Sequence, residues 1–347
     1  MTEAKGYAAL EQGAALVSHS FNRRALRSTD VAVDIHYCGV CHTDLHFARN
    51  DYFNTVYPLV PGHEIIGQVT AVGTDVTLHN VGDRVAVGCL VDSCGHCSPC
   101  RHGLEPYCEE GMTLTYNSPD RTTGENTLGG YSNTIVVKDE FVLKVPDGLD
   151  PARAGPLLCA GITTWSPLRY WEVGPGTKVA VAGLGGLGHM GVKLAVGLGA
   201  EVTVLTTSPS KTDDAVALGA HDVLVSKDEE QMAAAAGRFD FILDTIPVAH
   251  DISPYLSLVG LDGIVAMVGA VDMLPSFHTG ALVSGRKSLT SSMIGGIKET
   301  QELLNFCAEK NILPDCELIA MHQINEAFER MERGDVKYRF VIDMSTL

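Results

Sequence analysis

A glycine-rich turn between a strand-like and a helix-like segment constrains the fold of this chain most strongly. The segment GLGGLG places Gly183, Gly185 and Gly188 in a G-x-G-x-x-G pattern, directly after the apolar run TKVAVA. In a strand–turn–helix unit the first glycine permits the tight turn, the second lets the backbone approach a pyrophosphate, and the third lets helix and strand pack closely. The pattern predicts a dinucleotide site that also includes Gly186 and Leu187. Glycines needed only for packing are the alternative.

The segments around this turn alternate between strand and helix. The strand candidates are TKVAVAG, EVTVLTT, HDVLV, FDFILDT, GIVAMVGA and KSLTSSMI. Helix-like segments such as GLGHMGVKLAVGLG and SKTDDAVALGA lie between them. Six strands with alternating helices predict a doubly wound parallel sheet. The N-terminus of the helix after the glycine turn would then face the cofactor phosphates.

The first part of the chain has a different pattern. Short β-like runs (VAVDIHY, EIIGQVTAV, RVAVGCL and TIVVKDEFVLKV) are broken by Gly, Pro and Asn, which predicts an all-β, barrel-like region. The last part, from TQELLNFCAEK to KYRFVIDM, predicts two helices and a closing strand that return to this region. A length of 347 residues allows two cores. We place one domain at 1–159 with 297–347 and the other at 160–296.

Four cysteines fall within one short stretch, SCGHCSPCRHGLEPYC, with the spacing C-x2-C-x2-C-x7-C. We call Cys94, Cys97, Cys100 and Cys108 the cysteine quartet. Four thiolates on a loop with glycines and prolines suit a tetrahedral zinc ion with Zn–S bonds of about 2.3 Å. A complete set of four ligands leaves no open position, so this zinc would be structural. Disulfides or inert buried thiols are the alternatives.

Three further residues are candidate ligands of a second zinc. Cys41 lies in YCGVCHTDLH, His63 in PGHE and Cys159 in PLLCAG. Two thiolates and one imidazole would leave the fourth position of zinc open, as in catalytic sites. Such a metal polarises a carbonyl group. Lone cysteines are usually core residues, and the spacing alone does not join these three.

The segment after Val204 indicates whether the chain binds NAD or NADP. NAD sites usually carry an acidic residue there for the ribose 2′-hydroxyl, but no acidic residue occurs at 202–212, where the sequence includes LTTSPSK. Hydroxyl and amino groups suited to a 2′-phosphate are supplied instead by Thr206, Thr207, Ser208 and Lys211. This set favours NADP over NAD. A Ser/Pro turn in which Ser208 or Ser210 caps the next helix is a compatible alternative.

The composition excludes several classes of function. A net charge of −17, from 42 acidic and 25 basic residues, makes nucleic acid a poor partner because its phosphates would be repelled. No apolar stretch is long enough to predict a membrane span. Ten cysteines without a recognisable signal peptide predict reduced thiols in the cytoplasm.

The motifs CGVCHTDLH, PGHE, the cysteine quartet, LLCAG and GLGGLG, in that order, resemble those of zinc-containing medium-chain alcohol dehydrogenases. The segments TTSPSK and KYRFVID resemble the cinnamyl-alcohol-dehydrogenase-like branch of NADP-dependent aldehyde reductases. The resemblance implies an α/β fold: a GroES-like β-barrel catalytic domain interrupted by a six-stranded Rossmann domain with a doubly wound parallel sheet, and an active-site cleft between the domains. It also implies a homodimer through the Rossmann sheet edges, or a tetramer.

The resemblance also implies roles for residues near the metal. Cys41, His63 and Cys159 would bind the catalytic zinc. Glu64 would approach the metal when substrate or water leaves, or would act only as a hydrogen-bonding neighbour. Asp44 would orient His63 through its other ring nitrogen.

Four more roles follow from the resemblance. Thr43 would hydrogen-bond the substrate oxygen, and His46 would complete a proton path to solvent. A plain surface histidine is the alternative for His46. Ile294, in SSMIGG, would lie near the nicotinamide. Arg339, in KYRF, would pair with a cofactor phosphate, or would be an exposed arginine on an edge strand.

The activity implied is the reversible, NADPH-dependent reduction of aldehydes to primary alcohols by hydride transfer, with the substrate oxygen on the catalytic zinc. The aldehydes would be aromatic, of the cinnamaldehyde or benzaldehyde type, or aliphatic. A zinc-free quinone reductase would lack both zinc sets, and the missing acid after Val204 disfavours an NAD-linked polyol or alcohol dehydrogenase. A non-enzymatic, NADPH-binding structural or regulatory protein would require none of the catalytic ligands.

Overall fold

The computed structural model describes residues 2–269 and 273–347. The chain divides into two compact units, Met1–Cys159 with Gly296–Leu347, and Ala160–Gly295. Met1 and the predicted end of the strand GIVAMVGA at Ala270 lie outside the described residues. No helix of the described part is both long enough and apolar enough to cross a membrane.

The first unit is built on a seven-stranded sheet in which β16, β17, β3, β4, β5 and β9 lie side by side and β8 also pairs with β3. A hairpin of β1 and β2 and a small ribbon of β6 and β7 accompany it. The strands of this unit are β1 (Thr2–Ala8), β2 (Val17–Arg23), β3 (Asp30–Val40), β4 (Ile65–Val72), β5 (Arg84–Val87), β6 (Leu90–Asp92), β7 (Thr113–Leu114), β8 (Thr134–Lys138), β9 (Leu143–Lys144), β16 (Cys316–Ala320) and β17 (Arg339–Asp343). Its α-helices are α1 (His42–Arg49), α2 (Ser98–Arg101), α3 (Pro151–Ala154), α10 (Ile297–Lys310) and α11 (Ile324–Glu332).

β-branched residues form much of the buried part of this sheet. Val31 and Val33 of β3 are fully buried, and so are the adjacent residues Ile65 and Ile66 at the start of β4. β17 pairs antiparallel with β3, with Ile342 opposite Cys38, so the C-terminal segment completes the sheet of the first unit. The sequence pattern did not predict β16, whose residues are largely exposed.

The second unit is a six-stranded parallel sheet in the order β12, β11, β10, β13, β14, β15. Its strands are β10 (Lys178–Ala182), β11 (Glu201–Thr206), β12 (Asp222–Val225), β13 (Phe239–Asp244), β14 (Val259–Met267) and β15 (Ser288–Ser291). Its helices are α4 (Ala160–Tyr170), α5 (Gly188–Gly197), α6 (Thr212–Ala217), α7 (Glu229–Ala234), α8 (Ser253–Leu258) and α9 (Gly280–Val283).

This strand order confirms the predicted doubly wound sheet. The order reverses between β10 and β13, which is the switch point where ligands of such sheets bind. Val179, Ala180, Val181 and Ala182 of β10 are completely buried, as expected for a central parallel strand covered on both faces.

Candidate active site

The three predicted ligands Cys41, His63 and Cys159 lie at the ends of different elements of the first unit. Cys41 follows β3 and is the extended N-cap residue of α1. His63 lies in the loop before β4, and Cys159 follows the 3-10 helix Gly155–Leu158. Because β3 and β4 pair with Cys38 opposite Ile65, the end of β3 and the start of β4 are neighbours. We call these three residues the three-ligand set.

The spacing of the donor atoms fits a zinc ion. The Sγ atoms of Cys41 and Cys159 are 3.8 Å apart, and a tetrahedron with Zn–S bonds of about 2.3 Å has edges of about 3.8 Å. A disulfide would need about 2.05 Å between the sulfur atoms. One donor atom from each of these residues, from His63 and from Glu64 lies within 4.8 Å of all the others. The three-ligand set therefore has donor spacing that could hold a cation, with one carboxylate beside it.

The two thiols of this set differ in acidity. The pKa of Cys41 is well below its usual value, chiefly because the Cys159 thiol donates a hydrogen bond to it. The pKa of Cys159 is well above its usual value, because its proton is held in hydrogen bonds to Cys41 and Cys89 and because it is buried. Metal binding at these two thiols releases the protons that they carry, so the affinity of the set for a cation depends on pH.

Asp44 orients the imidazole of the set. Its Oδ1 lies 3.2 Å from His63 Nδ1 and accepts a hydrogen bond from the Gly62 N–H at 3.0 Å. Its Oδ2 accepts hydrogen bonds from the Cys41 N–H at 2.9 Å and from the Tyr131 hydroxyl at 3.0 Å. A carboxylate acceptor at Nδ1 leaves Nε2 as the nitrogen for a metal. Sequence reasoning placed Asp44 here but missed Tyr131, which lies far away in the chain.

Glu64 places its carboxylate beside the three-ligand set. The residue is fully buried, and burial raises its pKa to about 7 against the opposing charge of Arg339. Its Oε1 pairs with the Arg339 guanidinium, whereas Oε2 has no hydrogen-bond partner among the described residues. A buried carboxylate oxygen without a partner is costly unless a cation comes close to it. This orphaned oxygen is a second reason to assign a metal to the site.

The structure corrects one interpretation of Arg339. β17 lies between β16 and β3, and Arg339 is only 6% exposed, so the alternative of an exposed arginine on an edge strand is wrong. The Phe340–Val40 pairing of β17 with β3 carries the arginine into the core of the first unit, where its guanidinium finds Glu64. Its role toward a cofactor phosphate stays a prediction.

Position 39 must be glycine because the Glu64 side chain occupies the space of a Cβ there. The motif CGVC alone did not predict this contact. A Cβ at position 39 would overlap Glu64 Oε2 and would also lie 2.9 Å from the Cβ and Cδ of Glu64. We expect Gly39→Ala to displace the carboxylate, disturb its pairing with Arg339 and lower the free energy of unfolding by about 1–3 kcal/mol, as overpacking of a core does. Chemical denaturation measures this change. Gly174→Ala, where a Cβ meets nothing closer than 3.9 Å, is the matched control, and equal stability of the two variants would contradict the assignment.

Cys89 is a further residue that sequence reasoning missed. Its thiol donates to the Leu158 carbonyl at 3.5 Å, and its pKa is lowered chiefly by a hydrogen bond from Cys159. Only the fold brings it to the three-ligand set, because it follows β5 in a stretch without a motif. Cys38, by contrast, is fully buried in β3 as a small apolar residue.

The cysteine quartet forms a separate cluster. The Sγ atoms of Cys94 and Cys100 are 3.8 Å apart, and the four Sγ atoms all lie within 4.8 Å of one another. The Cys97 N–H points at Cys94 Sγ at 3.3 Å, and the Cys94 N–H points at Cys108 Sγ at 3.4 Å. The quartet thus has the sulfur spacing of a tetrahedral zinc ion and backbone donors that stabilise thiolate charge. All ten cysteines are free of disulfide bonds.

Thr43 and His46 lie one turn apart on α1, whose N-cap residue is the predicted ligand Cys41. Thr43 is partly buried, and the His46 side chain is 41% exposed. His46 Nδ1 lies 2.8 Å from Asp51 Oδ2, and Tyr52 lies beside its ring. A hydrogen-bonded imidazole at the solvent boundary can exchange protons with water. No motif in the sequence pointed to Asp51.

The glycine turn of the second unit has the shape that the motif predicts. Gly183 has φ +90°, a conformation in which side chains other than glycine are strained. A Cβ at Gly188 would overlap the Gly183 carbonyl, so the third glycine permits the close packing of strand and helix. A Cβ at Gly185 would meet nothing within 4 Å. Gly185 therefore borders open space just before α5, a position at a helix N-terminus that suits a phosphate, and Gly186 and Leu187 beside it are half-buried.

The segment after β11 places its polar groups in three environments. Thr206 is 5% exposed, and its hydroxyl accepts a hydrogen bond from the Ser208 N–H at 3.2 Å, so it organises the turn. Thr207 is exposed and Ser208 is partly exposed. Ser208 is the extended N-cap residue of the 3-10 helix Pro209–Lys211, but its side chain makes no capping hydrogen bond, and the Ser208 and Ser210 hydroxyls lie 2.8 Å apart. The Ser/Pro turn of the alternative is therefore present with Ser208 at its start, without the side-chain hydrogen bond of a cap.

Lys211 joins this segment to the glycine turn. Its Nζ donates to the Leu184 carbonyl at 3.0 Å. One ammonium group thus lies between the end of β11 and the turn that would hold the pyrophosphate, with two further donor positions free to turn toward an anion.

Ile294 lies at the end of the second unit in a strained conformation. Its φ is +43°, which is rare for a β-branched residue. Strain of this kind is often found at ligand sites. The predicted contact with a nicotinamide stays a prediction.

Known proteins share both units. The family called alcohol dehydrogenase GroES-like domain matches residues 27–147, and the family called zinc-binding dehydrogenase matches residues 186–309. The chain is 53% identical to an aldehyde reductase of Escherichia coli (strain K12) over 327 residues, 94% of this chain and 93% of that protein. It is 50% identical to the NADP-dependent alcohol dehydrogenase C 1 of Mycolicibacterium smegmatis over 348 residues, 100% of this chain and 99% of that protein.

Solved structures agree with these matches. A cinnamyl alcohol dehydrogenase from Sorghum bicolor superposes with a TM-score of 0.95 at 43% identity, covering 99% of this chain and 98% of that one. The donor geometry, the fold and these relatives together show that the chain belongs to the zinc-containing medium-chain alcohol dehydrogenase family and is an enzyme of the alcohol dehydrogenase type.

Proposed function

We propose that this enzyme reduces aldehydes to primary alcohols with NADPH, and that it does so reversibly. Zinc and NADP(H) are its cofactors. The observation that carries the proposal is the contrast between two sulfur clusters in one unit. The cysteine quartet supplies four protein ligands, whereas the three-ligand set supplies three and has a buried carboxylate oxygen beside it. Zinc with three protein ligands is the arrangement of catalytic sites.

The residues in and around the three-ligand set have different proposed roles. Cys41, His63 and Cys159 would hold the zinc ion, which would supply Lewis acidity toward a carbonyl oxygen. Asp44 holds the imidazole of His63 in the tautomer that leaves Nε2 for the metal. Thr43 is proposed to hydrogen-bond the substrate oxygen. His46, paired with Asp51 at the solvent boundary, is proposed to supply the proton.

Both units have a proposed part in the activity. We assign catalysis to residues 1–159 and 297–347, and cofactor binding to residues 160–296. The glycine turn from Gly183 to Gly188 is proposed to hold the pyrophosphate, with Ile294 near the nicotinamide. Arg339 is proposed to reach a cofactor phosphate.

The preference for NADPH over NADH rests on the segment after β11. No acidic residue occupies it, and Thr207, Ser208 and Lys211 offer hydroxyl and ammonium donors. Such donors favour a phosphate over a bare hydroxyl group. The Mycolicibacterium relative is named as NADP-dependent, which supports the same assignment. The missing acid also disfavours an NAD-linked polyol or alcohol dehydrogenase.

We expect Ser208→Asp to reverse the cofactor preference. The new carboxylate would repel a 2′-phosphate and accept a hydrogen bond from a 2′-hydroxyl, so the NADPH-to-NADH ratio of kcat/KM should fall at least about tenfold. Steady-state kinetics with both cofactors measure the ratio. Ser284→Asp adds the same charge at an exposed position of this unit and should leave the ratio unchanged. An unchanged ratio in Ser208→Asp would contradict the 2′-phosphate assignment.

The substrate class is tested with a panel of aldehydes. Aromatic aldehydes of the cinnamaldehyde and benzaldehyde type and aliphatic aldehydes are each followed by NADPH oxidation at a wavelength where only the reduced cofactor absorbs. Turnover of one class well above the other defines the substrate. Tight NADPH binding with no turnover of any aldehyde or alcohol, on protein loaded with zinc, would favour a structural or regulatory role instead.

We further propose a homodimer along the edge of the Rossmann sheet and a place in the cytoplasm. β15 ends the sheet order, and edge strands carry unpaired backbone groups that pair readily with another copy. Ten free thiols fit a reducing compartment. Sedimentation equilibrium distinguishes dimer from monomer and tetramer.

A further inference from the structure

A buried acid–imidazole pair in the second unit has no part in the chemistry described above. Asp244 is the last residue of β13 and is 1% exposed. His250, in the loop that follows, places Nε2 at 2.9 Å from Asp244 Oδ2 with 14% of its side chain exposed. The ring of Tyr255 covers the imidazole edge-on, with 5.5 Å between centroids. Removing two such groups from water carries a desolvation cost that their mutual attraction and their other hydrogen bonds must offset.

The pair fixes the loop between its members at several points. Asp244 Oδ1 accepts a hydrogen bond from the Ile246 N–H at 3.0 Å, and His250 Nδ1 lies 2.8 Å from the Val248 carbonyl oxygen. Because a carbonyl can only accept, Nδ1 carries a proton, and a second proton is shared between Nε2 and the Asp244 carboxylate. One imidazole therefore holds both the carboxylate and the loop backbone. The loop 245–249 is closed by side chains instead of by regular structure.

This loop lies at the switch point of the sheet. Asp244 is in register with Ala182 of β10, the residue before the glycine turn. Thr245 continues the pairing, because its N–H and its hydroxyl donate to the Ala182 carbonyl at 3.0 and 2.7 Å. Strand order reverses between β10 and β13, so ligands of a doubly wound sheet lie here.

The loop also forms one wall of the glycine turn. A Cβ on Gly183 would lie 2.9 Å from Thr245 Oγ1 and 3.6 Å from Ile246 Cγ1. A Cβ on Gly188 would lie 3.2 Å from the same hydroxyl. Any displacement of Thr245 or Ile246 therefore changes the packing of the turn proposed to hold the pyrophosphate.

We propose that Asp244 and His250 are a positioning pair for the dinucleotide: they lock the loop 245–249 so that Thr245 and Ile246 hold the glycine turn in the shape that receives the cofactor. This inference rests on the proposed binding of NADP(H) by this unit. Neither Asp244 nor His250 is proposed to contact the reacting atoms. The pair affects cofactor affinity only by holding the loop 245–249 in place against the glycine turn.

The test measures NADPH binding by isothermal titration calorimetry on the zinc-loaded enzyme. His250→Ala removes both bonds of the imidazole and should raise the Kd about tenfold or more. His250→Gln keeps an N–H donor for Asp244 but cannot also hold the Val248 carbonyl, so its Kd should lie between those of the wild type and His250→Ala. His36→Ala breaks an exposed His–Asp pair in the first unit and should bind NADPH as the wild type does.

Amide hydrogen exchange separates positioning from a general loss of stability. We expect His250→Ala to speed exchange at 183–188 and 245–249 while β10 and β13 stay protected, and to leave kcat at saturating NADPH and zinc content unchanged. A His250→Ala variant with wild-type Kd, or faster exchange through the whole second unit with no recovery in His250→Gln, would overturn the inference. Absence of NADPH binding by the wild type would instead overturn the proposed function.

Discussion

Replacing Cys159 by alanine should abolish aldehyde reduction while leaving the protein folded. The thiol lies 3.8 Å from that of Cys41, and its removal leaves only Cys41 and His63 as protein ligands of the set, with Glu64 nearby. We expect zinc to fall from two ions per chain to one. Loss of a Lewis acid that supplies several kcal/mol to the transition state corresponds to a fall in kcat/KM of at least about a thousandfold.

Metal analysis and steady-state kinetics on the same preparation check this expectation. Cys307→Ala is the matched control, because Cys307 is fully buried in α10 but belongs to neither sulfur cluster. It should keep two zinc ions and its turnover. A Cys159→Ala variant that retains two zinc ions, or that retains activity with one, would contradict the assignment of the three-ligand set.

Replacing Cys100 by alanine should have the opposite outcome, a large loss of stability without a direct effect on the chemistry. The buried cluster around the quartet consists of Cys94, Cys97, Cys100 and Cys108 themselves. Structural zinc binds with an apparent free energy of about 10–16 kcal/mol in small zinc domains. Because the margin of stability of a domain is only about 5–15 kcal/mol, losing this ion should lower the free energy of unfolding by several kcal/mol.

The effect should extend beyond the quartet. Glu105, in the 3-10 helix between its third and fourth cysteines, accepts a hydrogen bond from the Ile297 N–H at 3.0 Å, and Gly296 packs directly on Gly103. The start of α10 therefore contacts the loop that carries the cysteine quartet directly. Thermal unfolding should show a lower Tm for Cys100→Ala than for the control Cys316→Ala, whose thiol lies in β16. Unchanged stability with one zinc ion lost would show that the quartet does not support the fold.

The sequence predicted the second unit well because its signals are local. The glycine turn, the apolar strands and the helices between them are each recognised from neighbouring residues. The parallel sheet of six strands was predicted from these signals. The quartet is local for the same reason. The contacts of Asp44 with His63 and of Cys41 with Cys159 join residues far apart in the chain, and they were predicted only through the resemblance to a family.

The rest of the site depends on pairings that no short motif encodes. Arg339 was placed on an edge strand as one alternative, but β16, which the pattern did not predict, covers that edge. Tyr131 reaches Asp44 and Cys89 reaches Cys159 only after the sheet of the first unit has formed. Asp244 and His250 lie within seven residues of chain. Their position beside the glycine turn, however, depends on the register of β13 with β10.

We expect aldehyde reduction to depend on the zinc of the three-ligand set. A chelator first removes the more labile zinc, and kcat/KM with NADPH is then measured while zinc is added back from one ion per chain to two. No activity is expected with only the quartet filled, and activity should rise in proportion to the second ion. Full activity at one zinc ion per chain, with the three-ligand set empty, would contradict it.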